Sequence, residues 1–150
     1  MEISGHGISL ITGIEQFKSS AYKDQAGIWT IGYGTTRING MPVLEGMIIN
    51  EPVGWALLKG RLDNTETTIN NWVKTKINQN QYDALCSLCY NIGEHNFLNS
   101  TLLKSINNKL LITQDLFTRW NEVTINGNKQ VSDGLTKRRI IEYQLFMEKM

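Results

Sequence analysis

The chain carries helical periodicity on both sides of a stretch that cannot be helix. Between residues 21 and 46, glycine recurs at 27, 32, 34, 40 and 46, and the residues between the first two, Ile28-Trp29-Thr30-Ile31, are β-branched or aromatic. Glycine weakens helix interiors, whereas β-branched and aromatic side chains favour strands, so the segment predicts a small β-containing lobe over about residues 20–50. Asn39-Gly40 marks a hairpin inside it, because both residues tolerate positive φ.

Helix is predicted everywhere else. Ile8, Ile11, Ile14 or Glu15, and Lys18 share helical spacing over residues 4–18, with Ser19-Ser20 closing the segment. Asn50 can cap a helix whose first turn holds Glu51-Pro52. Apolar residues from Val53 to Val73 keep that helix going for over 20 residues, long enough to join two lobes. Asn78 and Gln81 form a capping-box pair ahead of a stripe of Tyr82, Leu85, Leu88 or Cys89, and Ile92, which Gly93 stops. Shorter helices are expected at about 100–107 and 113–121. A polar loop with Asn126-Gly127 follows, then a last helix over about 134–148 that Asp133 can cap. The expectation is α+β: one domain of 150 residues, with a β-containing lobe and an all-helical lobe of residues 74–150 plus the N-terminal helix.

Charge narrows the function. Fifteen Lys+Arg against 14 Asp+Glu leave +1, which argues against a dedicated nucleic-acid binder. Residues 71–150 hold ten basic and seven acidic side chains, most concentrated at Lys137-Arg138-Arg139, and such a rim attracts an anionic substrate or is a solvated helix face. No run approaches the roughly 18 apolar residues of a membrane span, and residues 1–20 lack a basic start followed by an apolar run. The reading is therefore a chain without membrane insertion or an export signal of its own.

Cys86 and Cys89 form a lone CxxC in mid-helix, where no helix N-terminus activates the first thiol, so they read as core. A thiol redox protein built on them is the weakest functional alternative. His6 and His95 stand alone, no HExxH or ligand cluster is present, and neither a metal nor a cofactor is called for.

The chemistry-bearing stretch runs from Glu15 to Gly34. Glu15 falls at a helix end, Asp24 in a loop nine residues on, and Thr30 on a predicted strand six further. Two carboxylates flanking a glycosidic bond suffice to hydrolyse it: one donates a proton to the leaving oxygen and one stays ionised, while a threonine hydroxyl can position water. Spacing alone does not establish this. Acidic pairs nine residues apart are common, and Thr30 is equally a plain strand residue.

The run Glu15, eight residues, Asp24, five residues, Thr30, then Ile31-Gly32-Tyr33-Gly34, resembles the active-site signature of the phage-type lysozymes, the endolysin muramidases. Gln79–Leu85 through Asn91-Ile92-Gly93, Phe97–Leu103, Phe117–Trp120 and Gly134–Arg139 resemble later segments of that family, in order, over about residues 4–147. The resemblance implies a two-lobed lysozyme-like fold with a cleft between the lobes. It implies hydrolysis of the β-1,4 bond between N-acetylmuramic acid and N-acetylglucosamine in peptidoglycan, causing host cell lysis. Glu15 would be the general acid, Asp24 the second carboxylate and Thr30 the partner of the attacking water. An inverting route would then set the carboxylates roughly 6.5–9.5 Å apart. Tyr90, Asn91 and Ser100 would line the cleft and bind substrate. The implied protein is a monomer whose partner is the glycan strand; it waits in the host cytoplasm and reaches the wall when a holin opens the membrane. The alternative is a non-catalytic wall-binding or tail-associated module of the same shape.

Three positions depart from the family pattern: Thr35 where many relatives have His, Gln16 where Gly is frequent, and Asp133 where Pro is frequent. Arg138 or Arg139 could reach Glu15, and a close cation favours the ionised carboxyl over the acid. The competing partners for both arginines are Asp133 and Glu142 on their own helix.

Overall fold

A computed structural model describes residues 1–150. Its first helix, α1 (Gly5–Glu15), is started by Ser4, whose hydroxyl oxygen accepts from the Gly7 N–H at 3.2 Å. Ser4 in turn donates from both its backbone N–H and its hydroxyl to the Asp83 carboxylate, which fastens the N-terminus to the molecule's centre.

The helix stops three residues earlier than its spacing suggests. Gln16 turns to φ 50°, and Lys18, Ser19 and Ser20, expected at the helix end, open strand β1 (Lys18–Lys23) instead. The competing attraction is a row of backbone partners: Ser19 and Ala21 exchange hydrogen bonds with Ile49 and Met47, and β1 pairs antiparallel with β2 (Trp29–Gly32), Tyr22 opposite Thr30. β3 (Arg37–Ile38) and β4 (Met41–Pro42) then form the hairpin that Asn39-Gly40 predicts, with φ 51° and 76° at the turn.

Helix α2 (Glu51–Trp72) has 22 residues and so spans about 33 Å. Asn50 caps it, accepting from Val53 N–H. Near its start it packs on β2, where a Cβ on Gly54 would stand 2.6 Å from the Phe17 ring; only glycine admits that ring. Further along, Thr65 meets Glu94 in the helical lobe.

The centre is α3 (Gln79–Ile92), opened by the predicted capping box. The sequence suggests one apolar stripe, yet every residue from Tyr82 to Tyr90 is buried. Helices α1, α2 and α7 (Asp133–Met147) surround it, so even Asp83 and Ser87 are enclosed. Cys86 and Cys89 are free and buried in the main core beside Leu85 and Leu88. Burial pushes both thiols above the ordinary range, Cys89 to about 12, so neither is a thiolate at neutral pH.

Gly93 ends α3 and at once starts a short unanticipated helix, α4 (Glu94–Leu98). Then come α5 (Thr101–Asn107) and α6 (Asp115–Thr118), the latter shorter than its expected range. The polar loop around Asn126-Gly127 is in fact a second hairpin, β5 (Glu122–Ile125) and β6 (Asn128–Val131), so this lobe is not all-helical. Its strands are four residues each; β6 is exposed throughout, and the alternation in β5, with Val123 and Ile125 half-buried between exposed Glu122 and Thr124, is too short to stand out. Ser132, not Asp133, caps α7: its hydroxyl oxygen accepts from Leu135 N–H and Asp133 falls in the first turn. No helix is long and apolar enough to cross a membrane.

Candidate active site

Between the lobes lies a cleft of about 730 Å³. Glu15, Asp24 and Thr30 all line it, one from a helix end, one from a loop and one from a strand. Three turns of local geometry bring them there.

Glu15 is the last residue of α1, and its side chain is 16% exposed. Arg138 of α7 holds it: Nη1 donates to Glu15 Oε1 at 2.5 Å across 123 residues of chain. The other carboxylate oxygen lies against Gly34, where a Cβ would stand 2.6 Å from Oε2. Gly34 also has φ 78°, so glycine is required twice over, by conformation and by space.

Arg138 is the edge of a buried ionic cluster. Its Nε lies 3.1 Å from Glu142 Oε1, and Arg139 Nε lies 2.7 Å from Glu142 Oε2. Ser87 donates its hydroxyl to Glu142 at 2.6 Å, and Arg138 Nη2 donates to the Ser87 carbonyl. Burial opposes the Arg138 charge, but Glu142 and Glu15 outweigh it and hold the guanidinium above the ordinary arginine range. Both sequence alternatives for the arginines are therefore realised at once: Glu142 takes both, and Arg138 also reaches Glu15. Asp133 takes neither.

Asp24 is held locally. Its Oδ1 accepts from the N–H groups of Ala26 and Ile28, both at 2.9 Å, which closes the loop on itself and leaves Oδ2 without a partner in the protein. Thr30 donates its hydroxyl proton to the Ile28 carbonyl at 2.9 Å, so towards the cleft the oxygen presents lone pairs. Tyr22, opposite Thr30 across the sheet, also borders the cleft. Burial, then Glu15 and then Asp24, raise its phenol above the ordinary range, so it remains a donor.

The three residues expected to bind substrate divide. Asn91 borders the cleft; its Oδ1 accepts from Arg139 at 2.9 Å and its NH2 is uncommitted. Tyr90 touches the cleft wall but is only 2% exposed and is not offered for stacking. Its hydroxyl donates to the Tyr33 carbonyl at 2.6 Å, joining the lobes, and the Arg61 guanidinium sits over its ring. Ser100 does not border the cleft. It is buried at the start of α5, accepting from Leu103 N–H and donating to Phe97 O, a cap rather than a substrate contact.

The family model described as phage lysozyme matches residues 12–142. The chain belongs to the phage lysozyme family. It is 39% identical to the endolysin of Salmonella phage P22 over 149 residues, 98% of this chain and 99% of the relative. Its fold is similar to that of an endolysin from Escherichia coli O157:H7 phage FAHEc1, with TM-score 0.87 and 36% identity over 99% of this chain and 94% of the other. It is also similar to the muramidase domain of SpmX from Asticaccaulis excentricus, with TM-score 0.83 and 33% identity over 99% of both chains. The lysozyme-like α+β fold expected from the sequence is the one present, and the chain is a peptidoglycan-hydrolysing glycosidase of the endolysin type.

Sequence reasoning missed two contributors to this phage-lysozyme cleft. Gly34 was part of the signature, but its packing on Glu15 has no sequence signal. The hairpin β5–β6 supplies Glu122, Val123, Thr124 and Lys129 to the far wall; Asn126-Gly127, the same dipeptide that marked the first hairpin, was the available clue.

Proposed function

We propose that Glu15 is the general acid of a muramidase that cleaves the bond between N-acetylmuramic acid and N-acetylglucosamine, the reaction classed as EC 3.2.1.17, with Asp24 and Thr30 holding the attacking water. The observation that carries this reading is the convergence of the three side chains on one cleft, each with an uncommitted atom.

Arg138 occupies Oε1 of Glu15, which fixes the carboxyl's orientation and leaves Oε2 for a proton and the glycosidic oxygen. The acid acts in the glycan-filled cleft, from which sugar rings have displaced water. A water molecule that donates one hydrogen to Thr30 Oγ1 and the other to Asp24 Oδ2 keeps a lone pair free. That lone pair attacks the anomeric carbon on the face opposite the leaving oxygen as the glycosidic bond breaks; the leaving oxygen takes the Glu15 proton, Asp24 takes the proton of the water, and the product is inverted. Asn91 contributes its free NH2 as a donor to the sugar.

Replacing Glu15 by Gln keeps the shape and removes the proton. Clearing of a cell-wall suspension is expected to fall by about 10²–10⁴-fold, with the fold retained. Undiminished clearing excludes Glu15 from the mechanism; a wild type that co-sediments with the wall yet releases no reducing sugar makes the protein a binding module. The identity of the new reducing sugar separates a muramidase from a glucosaminidase. The same reading includes a monomer in gel filtration that requires a holin: expression without one leaves host cells intact, and co-expression lyses them.

A further inference from the structure

The far wall of the cleft is built by β5–β6. Thr124 and Lys129 are directly opposite in the hairpin register and therefore share one face, and both line the cleft with Glu122. Four cationic side chains border this space, and three of them are engaged. Arg138 is bound to Glu15 and Glu142, and Arg119 to Asp115 at 2.9 Å. Arg61 donates to the Tyr90 carbonyl and covers its ring. Lys129 is exposed, and its ammonium makes no hydrogen bond and lies in no ion pair, Glu122 on its own face included. An uncommitted ammonium at the rim of a cleft is a receptor for an anion.

Neutral sugar rings offer it none. The anions of the wall polymer are the carboxylates of the peptide stems that hang from the muramic acid residues. We infer that Lys129, presented by the β5–β6 hairpin with the Thr124 hydroxyl beside it, forms a subsite for a stem carboxylate, so that this wall reads the peptide while the opposite wall handles the glycan. The inference rests on the muramidase reading for its substrate, but not on the role of Glu15, Asp24 or Thr30. The Asp24 loop faces this wall: a Cβ on Gly134, which follows the hairpin at the start of α7, would lie 3.8 Å from Gln25 Nε2. A glycan in the cleft therefore runs between the hairpin side and the loop, with its substituents in reach of the rim.

Co-sedimentation tests this with two walls: native peptidoglycan and peptidoglycan whose stem carboxylates have been amidated. An E15Q background keeps the wall intact during the measurement; continued cleavage by E15Q would be a failure of the acid assignment and is scored separately by reducing-sugar release. On native wall, Lys129→Gln is expected to weaken binding about three- to tenfold, the range of one charge-assisted contact at a partly exposed site. Lys129→Arg is expected to keep most of the affinity. On amidated wall, the parent is expected to lose affinity by a similar factor and Lys129→Gln to lose nothing more. Lys129 touches no other side chain through a polar contact, so these variants fold. Equal binding of the parent to both walls overturns the inference. So does a Lys129→Gln loss of the same size on native and amidated wall.

Discussion

The two carboxylates of the cleft are held in opposite ways. Asp24 is fixed by the backbone two and four residues ahead of it, whereas Glu15 is fixed by an arginine 123 residues away whose other bonds run to Glu142 and Ser87. One belongs to a loop that would hold its shape nearly alone. The other is the outermost member of a buried ionic cluster shared by α1, α3 and α7. Similar chemical groups in one cleft therefore carry different loads: neutralising Asp24 leaves its loop in place, whereas disturbing the support of Glu15 reaches the buried cluster.

That contrast can be broken most sharply at Arg138 and Asp24. Arg138→Ala leaves Glu142 facing a missing partner inside the protein, and the expected loss is about 3–5 kcal/mol of stability, measured by urea unfolding. Activity falls with it. Asp24→Asn keeps a side-chain oxygen for the Ala26 and Ile28 N–H groups, so stability is expected to change by less than about 1 kcal/mol. Activity should nevertheless drop by about 10²–10⁴-fold, since the amide carries no charge to steady the transition state or orient water. An Asp24→Asn protein that unfolds as readily as Arg138→Ala would erase the distinction.

The same contrast explains what could be read from the sequence. Asp24, Thr30 and the Asn39-Gly40 turn lie within short stretches whose local chemistry dictates their shape, and the Asn78–Gln81 capping box was legible for the same reason. The helix α1 boundary was not, because Lys18–Ser20 is drawn into β1 by partners at Met47 and Ile49. Nor was the enclosure of α3, since a stripe of apolar residues cannot announce that polar Asp83 and Ser87 will be covered by α1 and α7. The arginine pair shows the limit best. Helical spacing offered Asp133 or Glu142 as partners and reach across the cleft offered Glu15, and only packing could show that Arg138 serves both Glu142 and Glu15.

The buried centre sharpens the comparison through pH. Cys86, Cys89, Tyr82 and Tyr90 all titrate above their ordinary ranges, in each case chiefly because burial penalises the anion. Raised folded-state values mean that the unfolded chain loses these protons first. Stability is therefore complete below the ordinary thiol range and declines as pH rises through it, by about 1.4 kcal/mol per pH unit for each thiol. The β lobe contains neither cysteine, so above pH 9 the protection of amides, relative to their intrinsic exchange at that pH, should fall in α3 before it falls in β1 and β2. Iodoacetamide at pH 8 should label neither cysteine in the native protein and both in urea.

A smaller effect is expected where a side chain expected at the cleft has turned out to be a cap. Ser100 accepts from Leu103 N–H at 3.1 Å and donates to Phe97 O at 2.7 Å, so Ser100→Ala removes both bonds at the start of α5. The cost is about 1 kcal/mol, the usual worth of an N-cap, and for a chain of this size it lowers the melting temperature by about 2–4 °C. The KM for wall substrate should not move, because no atom of Ser100 lines the cleft. A raised KM at unchanged melting temperature would return Ser100 to the substrate-binding set and would mean that the cleft extends past α4 when glycan is bound. A lowered melting temperature alone leaves α5 outside the site, as a support standing behind the wall to which Asn91 belongs.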